Sequence, residues 1–245
     1  MVGIKIFNNP IPLDKYMVLM NKHSLVILVI ILILSTSLHA QRFQGAVMGG
    51  MNISQVDGDE VYGYHRVGGH FGLAAILPIK EKWDITLETV YNQKGAYQKP
   101  QYRDSVFGTV LTGQYDLRLN YVEVPLLAHY TDRHRYTVGA GFSYGRLVYS
   151  KEIEHEGSIP PYSDTVAFNK NDWDVLVDLQ VRVWKRLKFN VRYSYSMAAI
   201  RERVFIDPWE QKDPETRKQY NNMLTFRLVY VINENLDKLT PINNQ

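Results

Sequence analysis

The chain has 245 residues, of which 45% are hydrophobic and 22% are charged, and it contains no cysteine. This composition excludes a disordered chain and a bundle of membrane helices, and the lack of cysteine excludes a disulfide framework and any thiolate metal or redox site. Beyond residue 40 the chain carries 25 basic and 24 acidic residues. Such a balanced charge gives no indication of nucleic-acid binding.

The first forty residues are predicted to be a signal peptide rather than part of the fold. Lys22 and His23 precede ten apolar residues, Leu25–Leu34, and the small residue Ala40 stands before the expected cleavage point. The apolar run is too short to span a bilayer comfortably. Met20 is a second candidate for the true start. We expect the barrel domain described below at residues 41–235 and a polar C-terminal tail at residues 236–245.

Eight segments of the remaining chain are predicted to be β-strands, because apolar and polar residues alternate along most of them. The clearest alternation follows Trp173, where Asp174, Asp178 and Arg182 lie between apolar residues and only Leu176 breaks the pattern. In chain order the predicted strands are Phe43–Ser54, His65–Pro78, Trp83–Lys94, Asp116–Tyr130, Tyr136–Tyr149, Asp172–Trp184, Phe189–Met197 and Met223–Ile232.

The connections between these strands alternate strictly between short and long. The short ones read IKEK, TDRHR and KRLK, and the long ones cover residues 55–64, 95–115, 150–171 and 198–222. Short turns at one end and long loops at the other are typical of an outer-membrane barrel, whose even strand number places both termini on the periplasmic side. The sequence therefore predicts an all-β fold, an eight-stranded antiparallel up-and-down transmembrane β-barrel.

Aromatic residues mark the ends of the predicted strands next to the short turns. They are Trp83, Tyr130, Tyr136, Trp184 and Phe189. Rings with an apolar body and a polar tip favour the boundary between membrane and water. We interpret these residues as an interface girdle, and the alternative is a set of small hydrophobic clusters that cap soluble hairpins.

If lipid lies outside the barrel, the polar face of each strand lines the interior. The residues expected to form an interior charge network are Glu88, Glu123, Asp178, Arg182, Arg192 and Arg227. Eight strands leave room for little more than side chains, and buried charges must pair, so we favour a plug over an ion path. Pro125 lacks a backbone donor and predicts a strand bulge beside Glu123.

Three passages resemble the PorT family of outer-membrane barrels: Gly49–Leu73, Leu117–Tyr130 and Asn190–Glu202. The second is the most specific, with an aromatic residue, an acid and a proline followed by leucines. The resemblance covers nearly the whole chain after residue 40. It implies an eight-stranded outer-membrane barrel and an accessory role in protein secretion or surface assembly, as in type IX export, with outer-membrane lipid and other secretion-machinery proteins as partners. Most members have no assigned role. The chain departs from many outer-membrane barrels in having a polar tail after its last strand.

Two other functions stay open beside the secretion role. The first is a stand-alone barrel that binds a surface ligand or adheres through its loops. In the last long loop, Phe205, Ile206 and Trp209 lie among charged residues. We consider them either a partner contact or a lid that folds over the barrel mouth. The second is a lipid-modifying hydrolase that uses Ser158 and His155. No nucleophile motif supports catalysis there, so we predict a non-enzymatic protein.

The remaining polar motifs favour structural roles. His70 and His129 stand alone on predicted strands, and the acidic stretch around Asp57 and Asp59 lacks the late glutamate of a calcium loop. We therefore expect no metal site and no cofactor. The short turns are basic, and we slightly favour solvated charge over contact with lipid phosphates or an acidic partner.

Overall fold

A computed structural model of the chain describes residues 43–59, 61–106, 108–155, 167–205 and 215–234. The predicted signal peptide and the predicted tail at residues 236–245 lie outside these ranges. Within them, no helix has both the length and the apolar character needed to cross a membrane.

The described residues form nine antiparallel β-strands. They are β1 (Gln44–Asp57), β2 (Arg66–Lys80), β3 (Trp83–Ser105), β4 (Gly108–Asp132), β5 (Tyr136–His155), β6 (Asn171–Trp184), β7 (Leu187–Ser196), β8 (Arg201–Phe205) and β9 (Glu215–Val231). Eight of them follow one another around a ring that β1 and β9 close by pairing, whereas the short β8 pairs only with β9. The prediction of eight antiparallel strands in an up-and-down barrel is confirmed.

Several strands are longer than the sequence predicted. β3 and β4 remain paired as far as Ser105 opposite Gly108, so the expected loop at residues 95–115 is an extended β-hairpin. β5 continues to His155, and the expected loop at residues 198–222 contains β8 and the start of β9. The residues at the hairpin tip are mostly polar. Backbone pairing keeps them in a ladder, and the Thr109 hydroxyl donates a hydrogen bond to Asp104 across the tip at 2.8 Å. The three short turns lie where they were predicted.

The alternation along the strands separates the two faces of the barrel wall. On β6, Trp173 and Leu179 are 52% and 55% exposed, whereas Asp174 and Asp178 are each 1% exposed. Leu176, the exception in the pattern, is buried inside with them. The outer face is therefore an apolar belt and the middle of the interior is charged.

Apolar side chains fill the interior on both sides of its charged middle. Toward the short turns lie Ala46, Met48, Ile76, Val90, Val229 and Val231. Toward the other end lie Val56, Ala96, Tyr115, Leu117, Leu119, Tyr121 and Ile200. This second cluster lies at the base of what we call the upper extension: residues 95–105 of β3, 108–119 of β4, 147–155 of β5, the strand β8 and residues 215–220 of β9.

The prediction of a strand bulge at Pro125 is wrong. Toward β5, Pro125 pairs with Ser143 in an unbroken register. Toward β3, the ladder omits Pro125 and Val124 and resumes in the same register. A missing N–H removes a local hydrogen bond but does not require an extra residue on the strand. The register of β4 against β5 shifts elsewhere, between Asn120 and Tyr121.

Candidate functional site

Four buried charged side chains form a compact group in the barrel, which we call the lower cluster: Glu88, Asp178, Arg192 and Arg227. Glu88 accepts hydrogen bonds from Arg192 at 2.8 and 2.9 Å and from Arg227 at 3.0 Å to each oxygen. Asp178 accepts two from Arg192, at 2.5 and 2.9 Å. All four residues are at most 2% exposed. Two carboxylates and two guanidinium groups balance, which is what a buried ionic group requires.

Both histidines that stood alone in the sequence join the lower cluster in space. His129 lies between two carboxylates, 3.3 Å from Asp178 and 3.3 Å from Asp84. His70 Nε2 lies 3.0 Å from Arg227 Nη1. Strands far apart in the sequence bring these groups to one height in the barrel, so their spacing along the chain carried no signal of a cluster.

Glycines on the inner face make room for these large side chains. A Cβ atom on Gly139 would overlap the imidazole of His129, and one on Gly50 would lie 2.6 Å from the Cα atom of Arg227. Close approach of this kind is a known use of glycine in strands. The small residues are therefore part of how the charged interior is packed.

A second buried group, the upper cluster, consists of Lys94, Glu123, Asp172 and Asp174. The Lys94 ammonium lies 2.5 Å from Asp174, 2.7 Å from Glu123 and 3.3 Å from Asp172. Asn221 also donates to Asp172, at 2.7 Å. Lys94 is the only cation in this cluster. Because one ammonium faces three carboxylates, the cluster has an excess of negative charge when all four groups are ionised.

The sequence missed most of the upper cluster. The sequence predicts Lys94 as the last residue of a strand, and the predicted network does not include Asp172 or Asp174. The sequence does indicate that Lys94 points inward. It lies six residues after Glu88 on β3, and residues an even number apart on a strand face the same side.

Arg182 is separate from both clusters. Its guanidinium donates to both oxygens of Glu234, at 2.7 Å each, beside the short turn between β6 and β7. The six residues predicted as one network therefore divide: four form the lower cluster, Glu123 belongs to the upper cluster, and Arg182 lies at the short-turn end. Asn92 links the two clusters, since it donates to Glu123 at 3.1 Å and lies 3.3 Å from His70.

The interior beside the lower cluster leaves almost no free space. The cavity there has a volume of about 20 Å³ and is lined by residues that include Asp84, Glu88, His129 and Arg227. A cavity of this size holds about one water molecule. The arrangement therefore fits a plug of paired side chains rather than an open passage.

The five predicted girdle residues all lie on the outer face next to the short turns. Trp83, Tyr136, Trp184 and Phe189 are between 38% and 67% exposed, and the ring of Tyr130 lies 5.2 Å from that of Trp83. The assignment of these residues to an interface girdle stays a prediction.

A second aromatic band, which the sequence analysis missed, lies toward the other end of the barrel. Tyr144 contacts Trp173 with ring centroids 4.9 Å apart, and Tyr195 stacks on Tyr220. Trp173 and Trp184 bracket β6, and at about 3.3 Å per residue and a tilt of about 40° they are separated by roughly 28 Å along the barrel axis. The apolar band of an outer-membrane barrel is about 25 Å tall.

Ion pairs hold the upper extension together above this second band. Arg201 donates to both oxygens of Glu152, at 2.7 and 2.8 Å, and Arg203 donates to both oxygens of Glu154, at 2.8 and 2.7 Å. The Tyr115 hydroxyl also donates to Glu152 at 2.9 Å. Burial opposes the charge on Glu152, but the hydrogen bonds from Arg201 hold the pKa of this carboxyl below its usual value.

The acidic turn after β1 is a structural element. Asp59 accepts a hydrogen bond from the backbone N–H of Val61 at 2.9 Å, and burial raises the pKa of Asp59 to about 7. The side chain is buried, and its hydrogen bond with Val61 closes the turn. Among the residues that the structure describes, no group of three or more histidine or acidic side chains is placed to hold a metal ion.

The two loop sites proposed from sequence fall largely outside the described residues. Ile206, Trp209 and Ser158 all lie there. Phe205 is described only as the last residue of β8, where its backbone pairs with Glu215.

A family model described as an outer membrane protein beta-barrel domain matches residues 37–201. No curated protein matches the chain. Similar solved structures include Neisserial surface protein A (TM-score 0.42, 11% identity, 79% of this chain and 100% of that one) and the Ail protein of Yersinia pestis (0.39, 11%, 77% and 98%). A third is the outer membrane protease OmpT from Escherichia coli (0.37, 12%, 78% and 96%). Because the family model matches more than half of the chain, the chain belongs to the family of outer membrane protein β-barrel domains.

Proposed function

We propose that this protein is a non-enzymatic outer-membrane barrel with a closed interior, and that its upper extension binds a partner protein outside the cell. In this proposal the short turns and both termini face the periplasm. The observation that carries it is the β3–β4 hairpin. It continues as paired strands from Lys94 to Ser105, which at about 3.3 Å per residue corresponds to about 36 Å of strand.

Buried contacts at its base give the upper extension a fixed shape. Leu117 and Leu119 are 0% exposed, and the ion pairs of Arg201 and Arg203 join β8 to β5. A structured surface loses less conformational entropy on binding than a flexible loop does, which favours affinity. The upper extension is therefore suited to protein recognition.

One edge of the upper extension offers a specific mode of binding. The ladder between β2 and β3 ends at the pair His70–Asn92. Beyond it, at Tyr97, Gln98 and Tyr102, β3 pairs with β4 on one side, and no strand among the described residues covers its other side. An exposed strand edge can accept a strand from another protein through main-chain hydrogen bonds. Tyr102, 65% exposed, would add a side-chain contact.

The resemblance to the PorT family supports one class of partner. If it extends to function, the partner belongs to a protein-export or surface-assembly machine, as in type IX secretion. The alternative partner is a ligand on another surface, which would make the protein an adhesin. Both use the same upper extension, so one experiment can compare them.

The test is a shortened hairpin in the native cell. Residues 99–114 are replaced by an Asn-Gly turn that joins Gln98 to Tyr115, which are paired in the barrel. A strain that lacks the gene is complemented with either form. We expect the shortened protein to assemble but not to restore function. Enzymes retained in the periplasm would identify an export partner, and loss of surface binding with normal secretion would identify an adhesin. Full restoration of both by the shortened form would refute the proposal.

A further inference from the structure

The turn between β6 and β7 carries two cations that lack a counter-charge. Lys185 and Arg186 form this turn, and neither has a carboxylate within ion-pair distance among the residues that the structure describes. The neighbouring carboxylate of Glu234 is already bound through both oxygens by Arg182. Among the described residues, no carboxylate therefore neutralises the positive charge of this turn.

The other two short turns differ in this respect. In one, Lys82 lies 3.5 Å from Asp132, and in the next, Arg133 lies 3.7 Å from the same residue. Asp132 thus supplies a carboxylate to both. Basic residues are common to all three turns. Among the described residues, Arg135 in the turn between β4 and β5 also has no carboxylate within ion-pair distance, so the turn between β6 and β7 differs in that neither of its two cations has one.

An apolar pocket of about 300 Å³ adjoins these cations on the outer face of the barrel. It is lined by Trp184, Lys185, Arg186, Leu187 and Tyr230. The two aromatic rings belong to the level of the girdle, and they are 67% and 46% exposed. The pocket is therefore continuous with the lipid-facing belt and has a basic rim at the membrane boundary.

Arg186 is held in place at this rim. Its Nη1 donates to the carbonyl oxygen of Ile232 at 2.9 Å, and its own carbonyl oxygen accepts from the N–H of Val231 at 3.0 Å. Its Nε is buried and has no acceptor among the described residues. The hydrogen bonds to the end of β9 therefore fix the position of Arg186 at the rim of the pocket.

We propose that this pocket binds the phosphodiester headgroup of a membrane glycerophospholipid. Lys185 and Arg186 contact the phosphate, and Trp184, Leu187 and Tyr230 contact the glycerol and the first part of an acyl chain. A phospholipid fits both halves of the site, whereas a free phosphate ion would use only the basic rim. The leaflet in which the lipid lies follows from the orientation proposed above, but headgroup binding does not depend on it.

The test is native mass spectrometry of the full chain purified in detergent. Phosphatidylethanolamine, phosphatidylglycerol or diacylglycerol, which lacks the phosphate, is added in turn. We expect one molecule of either phospholipid to bind and diacylglycerol to bind much more weakly. Lys185→Gln and Arg186→Gln should each weaken phospholipid binding by about fivefold, because each removes one cation near a phosphate.

The matched control is Arg133→Gln, which removes a turn cation that already has a carboxylate and should leave lipid binding unchanged. Lys185→Gln removes no side-chain hydrogen bond seen in the structure, and its one recorded side-chain contact is with the exposed ring of Trp184, 5.6 Å from Nζ to the ring centroid. It therefore separates lipid binding from folding. Three results would each overturn the proposal: equal binding by Lys185→Gln and wild type, equal binding of diacylglycerol, or displacement of the phospholipid by inorganic phosphate.

Discussion

Replacing Glu88 with glutamine is expected to destabilise the barrel by about 3–5 kcal/mol, the usual cost of breaking a buried ionic group by removing one partner. Glu88 accepts four hydrogen bonds from Arg192 and Arg227. Without its charge, two buried guanidinium groups share the single carboxylate of Asp178. The measurement is the urea midpoint of unfolding in lipid vesicles, supported by the temperature at which the folded form is lost on a gel.

The control for this prediction is a carboxylate whose ion pair is exposed. Glu202 lies 3.6 Å from Lys218, and both side chains are more than half exposed. Glu202→Gln should therefore change stability by less than about 1 kcal/mol. Adding Arg227→Met to Glu88→Gln restores the charge balance and should recover part of the loss. The interpretation would be wrong if Glu88→Gln cost no more than Glu202→Gln.

Lys94→Met is expected to lower the free energy of unfolding by at least about 3 kcal/mol, because it leaves buried charges without a partner. The three carboxylates of Glu123, Asp172 and Asp174 would lie close together with no cation among them. Like charges in a buried site repel strongly. The same urea titration in vesicles measures the effect.

Two further variants separate loss of charge from loss of packing. Lys99→Met, at an exposed position on the same strand, should be close to neutral. Asp172→Asn added to Lys94→Met removes one of the three negative charges and should recover stability. If the double variant were less stable than Lys94→Met alone, excess negative charge would not be the cause.

The architecture of the barrel could be predicted because each spanning strand has one face in lipid and one in the interior. Because of this constraint, apolar and polar residues alternate along β6, where Asp174 and Asp178 lie between apolar neighbours. The alternation of short and long connections added the up-and-down order of the strands. The length of β3 and β4 could not be predicted in the same way, because their tips have water around them and no apolar pattern is required.

The arrangement of the interior depends on register, which the sequence did not specify. Arg182 and Arg192 have similar neighbours in the chain, yet strand pairing places Arg192 opposite Asp178 and Arg182 opposite Lys188 at the short-turn end. The same pairing brings Lys94 to Asp172 and Asp174. The alternation along a strand identifies which side chains point inward, but only the three-dimensional strand pairing shows which of them are in contact.

The central claim is that the charged interior closes the barrel and that the protein acts through surfaces outside the membrane core. The most direct test is the ionic conductance of the purified full chain in planar lipid bilayers. Paired side chains and a cavity of about 20 Å³ beside the lower cluster predict a current no greater than that of the bare bilayer. Reproducible unit steps of current that increase in number with the amount of protein would contradict the claim, because they would show that ions pass through the lumen.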